Sequence, residues 1–201
     1  MDLLTVRNAY ASVAPQYIEL FDGDWDAHEM DAAFILRHLR VTRGRVLDVG
    51  CGPGYWTAYL HEHGLDATGI DVVPQFIEHA RAHHPGPHFE LSSMFDLAGL
   101  GSAAGILSWF STIHLTPLQL AQALEHYRRA LAGPGRLVLG FFASADEVGT
   151  FDHAVAPAYR WPADALAERL VEAGFVEVER MQRQVAERPD RLYGALAARA
   201  V

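Results

Sequence analysis

Apolar positions along the chain change repeatedly between helical spacing and short continuous runs, and this pattern predicts the order of its elements. Residues 5–21 have the spacing of an amphipathic helix, and Asp24 is placed to cap a second one. Short β-branched runs then alternate with helical segments and predict strands at 45–49, 67–71, 88–91, 104–109 and 136–142. Two last strands, at 175–181 and 192–198, have no helix between them and must pair antiparallel. The pattern predicts an α/β fold, a doubly wound seven-stranded sheet with helices on both faces.

Composition and charge narrow the classes of function. The 201 residues, 50% hydrophobic and 20% charged, suit one globular domain spanning 1–201. The formal charge is −9 and all 16 basic residues are arginines, so the chain lacks the lysines of Schiff-base chemistry and a basic stripe for nucleic acid. Cys51, the only cysteine, permits no intramolecular disulfide, and no apolar stretch approaches the length of a membrane span. We expect a cytoplasmic protein without nucleic-acid or membrane partners.

A glycine-rich turn follows the first predicted strand. Gly50, Gly52 and Gly54 stand at every second position after Asp48, which lets the backbone turn tightly and approach a ligand. Dinucleotide-binding turns have the spacing G-x-G-x-x-G, so the third glycine comes one residue early here. Asp71, at the end of the second strand, is placed to accept hydrogen bonds from both hydroxyls of a ribose.

The segment 46–54, read as V-L-D-V-G-C-G-P-G, resembles the first motif of the class I S-adenosylmethionine-dependent methyltransferases, D/E-x-G-x-G-x-G. Further matching motifs follow in the family's order at 69–71, 93–96, 111–117, 131–136 and 172–175. The resemblance implies a Rossmann-like sheet in the order 3-2-1-4-5-7-6 with the last strand antiparallel. It also implies that S-adenosyl-L-methionine is the cofactor and that its methyl group passes in line to an oxygen or nitrogen atom of a small-molecule acceptor.

The resemblance also implies where the cofactor binds. The turn should approach its methionine part, Asp71 its ribose, and Met94 with Phe95 its adenine, while residues 1–41 form a helical lid. Tyr10 and Tyr17 lie in this lid and should close over the cofactor. Core packing is the alternative for Met94 and Phe95, and simple packing of the helix is the alternative for the two tyrosines. The expected cofactor-binding residues are Tyr10, Tyr17, Asp48, Gly50, Cys51, Gly52, Gly54, Tyr55, Trp56, Asp71, Val72, Met94, Phe95, Trp109, Phe110 and Ser111.

The acceptor should meet the cofactor near His114, which follows the fourth strand. A hydroxyl or amine acceptor must lose a proton, so His114 is the candidate base, with local loop bonding as the alternative. The irregular segment 143–160 is long enough to form an acceptor-side loop, with bounds of 143–161, and Arg160 there is a candidate for binding an anionic acceptor. The expected substrate-binding residues are Trp25, His28, His114, Tyr159, Arg160 and Trp161.

Other readings of the sequence remain open. His79 and His83 lie four apart on a helix, but no carboxylate or cysteine completes a set of ligands, so we expect no metal. The same turn and acid also suit an NAD(P)-dependent oxidoreductase, against which the early third glycine argues. A non-catalytic cofactor-binding module is the other alternative, and the chain is expected to be a monomer or homodimer.

Overall fold

A computed structural model describes residues 3–20, 28–185 and 188–201 of the chain. Its helices are α1 Leu3–Glu19, α2 Glu29–Leu39, α3 Tyr55–Glu62, α4 Pro74–His83, α5 Pro117–Ala130 and α6 Ala163–Glu172. Its strands are β1 Val46–Val49, β2 Ala67–Asp71, β3 His88–Leu91, β4 Ala103–Trp109, β5 Leu131–Ala143, β6 Gly149–Phe151, β7 Ala158–Trp161, β8 Phe175–Val185 and β9 Arg188–Ala200.

Within these ranges, all nine strands belong to one sheet. From one edge the main order is β3, β2, β1, β4, β5, β9 and β8, and only β9 runs antiparallel to its neighbours in this series. Numbered as the seven predicted strands, that order is 3-2-1-4-5-7-6. The predicted doubly wound sheet with an antiparallel last strand is therefore confirmed.

The prediction that residues 143–160 are irregular is wrong, because this segment contains β6 and β7. The pairing of β4 with β5 ends at Gly140, which leaves one edge of the last residues of β5 uncovered. Phe142 and Ala143 pair there with β7 in parallel, while β9 covers their other edge. This register puts β7, and β6 beside it, beyond the carboxyl end of β4.

Side chains of the central strands point alternately to two cores, one on each face of the sheet. On β1, Leu47 and Val49 join one core, while Val46 joins the other. The first core packs against α5 and α6, through residues such as Tyr127 and Leu166, and the second against α2 and α3. Helices thus cover both faces of the sheet, and the carboxyl ends of its parallel strands form one of its remaining edges.

Local sequence signals mark the starts of the helices that follow the carboxyl ends of β2 and β4. Thr116 and Gln119 form a capping box at the start of α5, and Pro74 is the first residue of α4, where its missing N–H costs no helical bond. No helix in the described ranges is long and apolar enough to cross a membrane.

A buried ion pair joins α2 to β8. Both carboxylate oxygens of Asp31 accept hydrogen bonds from the guanidinium of Arg183, at 2.7 and 2.6 Å. The two side chains are only 6% and 11% exposed, and the guanidinium also lies over the Tyr193 ring. Loss of either partner leaves the other as an uncompensated buried charge.

We therefore predict that Asp31→Ala lowers the free energy of unfolding by about 3 to 5 kcal/mol, the range for a broken buried pair. Urea denaturation followed by circular dichroism measures the change. Glu125→Ala is the control, because Glu125 pairs with Arg129 on the exposed surface of α5, where about 0.5 kcal/mol is expected. Equal losses in the two variants would contradict the role given to Asp31.

Candidate functional site

A cavity of about 870 Å³ opens at the carboxyl ends of β1 to β4. Its volume lies in the upper part of the range for small-molecule sites, ~300–1,000 Å³. The segments that follow β1 to β4 form its floor, and α1 forms its cover, while β5, β9 and residues 153–155 close one end. The expected site residues in its lining are Tyr10, Tyr17, Gly50, Gly52, Asp71, Val72, Met94, Phe95, Trp109, Phe110, Ser111 and His114.

The glycine turn after β1 is fixed to the end of β2. The amides of Gly50 and Cys51 donate to the carbonyl of Ile70, at 2.7 and 2.9 Å. Gly50 has φ +77°, and a Cβ there would lie 2.2 Å from Cβ of Ser111. Gly52 has φ +54°, and a Cβ there would meet no described atom within 4 Å. The turn thus needs glycine at Gly50 for packing, and it leaves the backbone at Gly52 open to the cavity.

Asp71 holds the other side of this turn. One carboxylate oxygen accepts from the amide of Gly52 at 3.0 Å, and the other accepts from the amide of Val73 at 2.9 Å. Burial raises the pKa of Asp71, and these backbone bonds act against that shift. Because each carboxylate oxygen has two acceptor sites, both oxygens can also accept from the hydroxyls of a ligand in the cavity. This geometry fits the ribose of an adenosyl cofactor.

Asp48 lies under the turn and is not among the described residues of the cavity lining. Its carboxylate accepts a hydrogen bond of 2.6 Å from the hydroxyl of Thr57, and its side chain is 1% exposed. Burial raises the pKa of Asp48 to about 7, with the Thr57 bond opposing the shift. The structure thus gives Asp48 a bond that fastens β1 to α3.

Aromatic rings of α1 cover the cavity. Tyr10 and Tyr17 pack edge to face, with ring centroids 5.8 Å apart, and both contact Phe76 of α4. Ala14, between them, is fully buried against Val73 and Phe76. The helix therefore contacts α4 through the same face that carries its tyrosines.

His114 joins the cover of the cavity to the segment on its far side. Its Nδ1 lies 2.9 Å from the carbonyl oxygen of Pro157, and its Nε2 lies 2.9 Å from the hydroxyl of Tyr10. A carbonyl can only accept, so in the neutral ring Nδ1 carries the proton and Nε2 accepts from Tyr10. His114 is 5% exposed, and burial lowers its pKa, which favours that neutral form.

The chain turns sharply after β4, where Trp109, Phe110 and Ser111 enter the lining. Phe110 has φ +54°, an uncommon conformation for a bulky residue that carries strain. The hydroxyl of Ser111 lies 2.8 Å from that of Ser108, which in turn lies 3.2 Å from the buried Tyr127 hydroxyl. These bonds connect the strained turn to the core.

Several expected residues are not in the described lining. Trp25 lies outside the described residues, and His28 caps the start of α2, where its ring accepts from the Met30 amide. Trp161 is a core residue that is 5% exposed. Arg160, also on β7, lies over the ring of Phe151 on β6. The remaining expected residues outside the described lining are Cys51, Gly54, Tyr55, Trp56 and Tyr159.

Other lining residues were not expected from the sequence. Arg7 stands one helical turn before Tyr10, a spacing that marks the same face of α1. Phe142 and Arg191 come together because of the register in which β9 pairs with the end of β5, and the expected strand order does not give that register. In the described ranges, no group of three or more His, Cys, Asp or Glu side chains is arranged to hold a metal ion.

Comparison with known sequences agrees with this architecture. Residues 46–135 match the family model of the methyltransferase domain. A ubiquinone biosynthesis O-methyltransferase of Xylella fastidiosa is 31% identical over 87 residues, 38% of this chain and 35% of that protein. A malonyl-[acyl-carrier protein] O-methyltransferase of Enterobacter lignolyticus is 27% identical over 145 residues, 72% and 56% of the two chains. The chain thus aligns with about a third and just over half of the lengths of these two curated relatives.

Among solved structures, a Burkholderia thailandensis 1,6-didemethyltoxoflavin-N1-methyltransferase, with its acceptor and S-adenosylhomocysteine bound, has the same fold. The TM-score is 0.82 at 23% identity, covering 98% of this chain and 88% of that one. The domain match and the sheet order agree with the sequence motifs. Residues 46–135 are thus similar to a methyltransferase domain, and the chain has the fold of this solved methyltransferase.

We predict that Gly50→Ala lowers the free energy of unfolding by about 1 to 3 kcal/mol more than Gly52→Ala, because only Gly50 faces a neighbouring Cβ. Both residues have positive φ, so the difference between the variants isolates the clash with Ser111. Urea denaturation of the two variants measures it. Equal destabilisation would show that the conformation, and not the packing, requires glycine at Gly50.

Proposed function

We propose that this protein transfers a methyl group from S-adenosyl-L-methionine to a small-molecule acceptor, on oxygen or nitrogen. Residues 1–201 would act as one domain, with 1–41 as a helical lid and 143–161 as the acceptor-side segment. The observation that carries the proposal is Asp71, whose carboxylate holds the open glycine turn and faces the cavity.

The cavity's residues suit an adenosyl cofactor in distinct ways. Asp71 would accept from the ribose, the open backbone at Gly52 would lie against the methionine part, and Met94 with Phe95 would contact the adenine. When bound, the cofactor would supply a methyl group attached to a positively charged sulfur, and the acceptor would bond to the methyl carbon as the carbon–sulfur bond breaks in line, which leaves S-adenosylhomocysteine. The chain's own part is to hold the acceptor in position and to exclude water.

The size of the cavity and the names of the similar proteins both favour a small-molecule acceptor. The Burkholderia structure contains bound 1,6-didemethyltoxoflavin, and the Xylella relative is named for ubiquinone biosynthesis. Phe110, Ile113 and Phe142 give the proposed acceptor end an apolar wall. An acceptor in this end would lie beside His114.

His114 is our candidate for the group that takes the acceptor's proton. Only Nε2 of the neutral ring can receive a proton, and the Tyr10 hydroxyl occupies it. We infer that the acceptor's hydroxyl or amine displaces the Tyr10 hydroxyl, because the single lone pair of Nε2 accepts from one donor at a time. The proton then passes from the acceptor to Nε2.

The first experiment measures cofactor binding to Asp71→Ala by calorimetry. We expect wild type to bind S-adenosylhomocysteine and the variant to bind it about 10- to 150-fold more weakly, the range for hydrogen bonds to a charged group. Asp66→Ala is the control, because Asp66 is an exposed aspartate just before β2. Binding of NADH but not S-adenosylhomocysteine by wild type would overturn the proposal, and unchanged affinity in Asp71→Ala would overturn the ribose contact.

The second experiment follows turnover of a methylated acceptor against pH. In wild type the rate should rise with pH through an inflection below about 6.5, because burial lowers the pKa of His114 and only its neutral form accepts a proton. His114→Ala should lose this inflection and about 100-fold in kcat, with little change in cofactor affinity. His88→Ala, at an exposed position on β3, is the control.

Tyr10→Phe separates the two routes for the proton. If the acceptor displaces the Tyr10 hydroxyl, this variant keeps the pH inflection of wild type. Loss of the inflection in both Tyr10→Phe and His114→Ala would mean that the proton passes through Tyr10. Full activity of His114→Ala would remove His114 from the mechanism.

A further inference from the structure

Arg191 brings a positive charge to the wall of the cavity, from β9. Its guanidinium carbon lies 5.7 Å from the centroid of the Phe142 ring and 5.8 Å from that of the Phe151 ring. The Phe142 ring itself packs against Phe110, at 5.1 Å and an interplanar angle of 53°. Arg191, Phe142 and Phe110 all line the cavity, so a cation and two aromatic rings meet at one end of it.

This end is far from the proposed ribose contact. Asp71 ends β2, while Arg191 lies on β9, and β1, β4 and β5 stand between these strands. Four strand spacings of about 4.8 Å put the two residues on the order of 15–20 Å apart across the sheet. Arg191 is therefore placed to contact the acceptor end of the cavity and not the cofactor's ribose.

The charge at this end is opposite to that of the protein as a whole. The formal net charge is −9, which repels an anion from most of the surface. In the described lining the arginines are Arg7 and Arg191, and the carboxylate is Asp71, at the other end. A guanidinium held against aromatic rings loses little further freedom when it binds a ligand, and its planar donors match a carboxylate.

We propose that the acceptor is a flat, conjugated molecule that carries an acidic group, and that Arg191 selects it by pairing with that group. The inference rests on the proposed methyl transfer and adds the class of acceptor to it. The rings of Phe110 and Phe142 contact the flat body of the acceptor, since aromatic faces and edges pack favourably against another conjugated ring. The acidic group then lies beside Arg191.

Arg160 provides a matched comparison within the same cluster. Its guanidinium carbon lies 4.6 Å from the centroid of the same Phe151 ring, but it is not in the described cavity lining. If Arg191 serves only to pack rings, loss of either arginine should affect the protein in the same way. If it binds an acidic group, only the loss of Arg191 should change the preference for an anion.

The test compares two flat probes of nearly equal shape, 2-naphthoate and its neutral counterpart 2-naphthamide. Their binding is measured by calorimetry on wild type, Arg191→Gln, Arg191→Lys and Arg160→Gln, each with and without saturating S-adenosylhomocysteine. We expect the loaded wild type and Arg160→Gln to bind naphthoate at least about tenfold more tightly than naphthamide. Arg191→Gln should bind the two probes equally, and Arg191→Lys should keep part of the preference through its charge.

Equal binding of the two probes by loaded wild type would overturn the inference without any variant, and so would an unchanged preference in Arg191→Gln. Circular dichroism and S-adenosylhomocysteine affinity of each variant report whether the fold and the cofactor end are intact. Should wild type fail to bind S-adenosylhomocysteine, the proposed function fails. In that case, a preference of wild type for naphthoate that is lost in Arg191→Gln would still support the anion contact. If wild type showed no such preference, the proposed function and the inference about Arg191 would both be overturned.

Discussion

The hydrogen bond from the Gly52 amide to Asp71 is the contact on which the arrangement of the site depends. It joins the turn after β1 to the end of β2, the two strands whose carboxyl ends begin the cavity floor. The amides of Gly50 and Cys51 add two bonds to Ile70 at the same junction. Because the turn is fastened on both sides, the open backbone at Gly52 and the remaining acceptor sites of Asp71 face the same space.

His114 has a corresponding position on the other side of the cavity. Its two ring nitrogens contact Tyr10 on α1 and Pro157 in the segment before β7, so one side chain connects the cover, the end of β4 and the far wall. Proton uptake at Nε2 would turn that nitrogen from an acceptor into a donor, and the contact with Tyr10 would have to reorganise. If His114 takes the acceptor's proton as proposed, that proton transfer would be physically coupled to the contact between His114 and α1.

The sequence was sufficient to predict what depends on local signals and on the order of elements. The glycine turn and Asp71 follow from short motifs, and the seven strands follow from the alternation of strands and helices, whereas their order came from the family resemblance. His114 follows from its place after β4. Arg191 was not predicted, because the expected strand order places β9 beside β5 but does not give the register, Phe142 with Tyr193, that brings Arg191 to the cavity. Trp161 suited a pocket wall equally well by residue type, but its register on β7 directs it into the core.

The strained turn at Phe110 explains why glycines are needed on either side of β4, one in the turn after β1 and one on β5. A Cβ on Gly140 of β5 would lie 2.8 Å from the Trp109 ring and 3.2 Å from the Phe110 ring, while a Cβ on Gly50 would overlap Ser111. Trp109, Phe110 and Ser111 thus fit between two glycines, and the amide of Phe110 still donates to the carbonyl of Gly140 at 3.1 Å. That bond and the Ser108–Ser111 bond offset the unfavourable φ of Phe110. The strain is maintained because the ring of Phe110 then packs on Phe142 and reaches the cavity wall, where a flat acceptor would contact it.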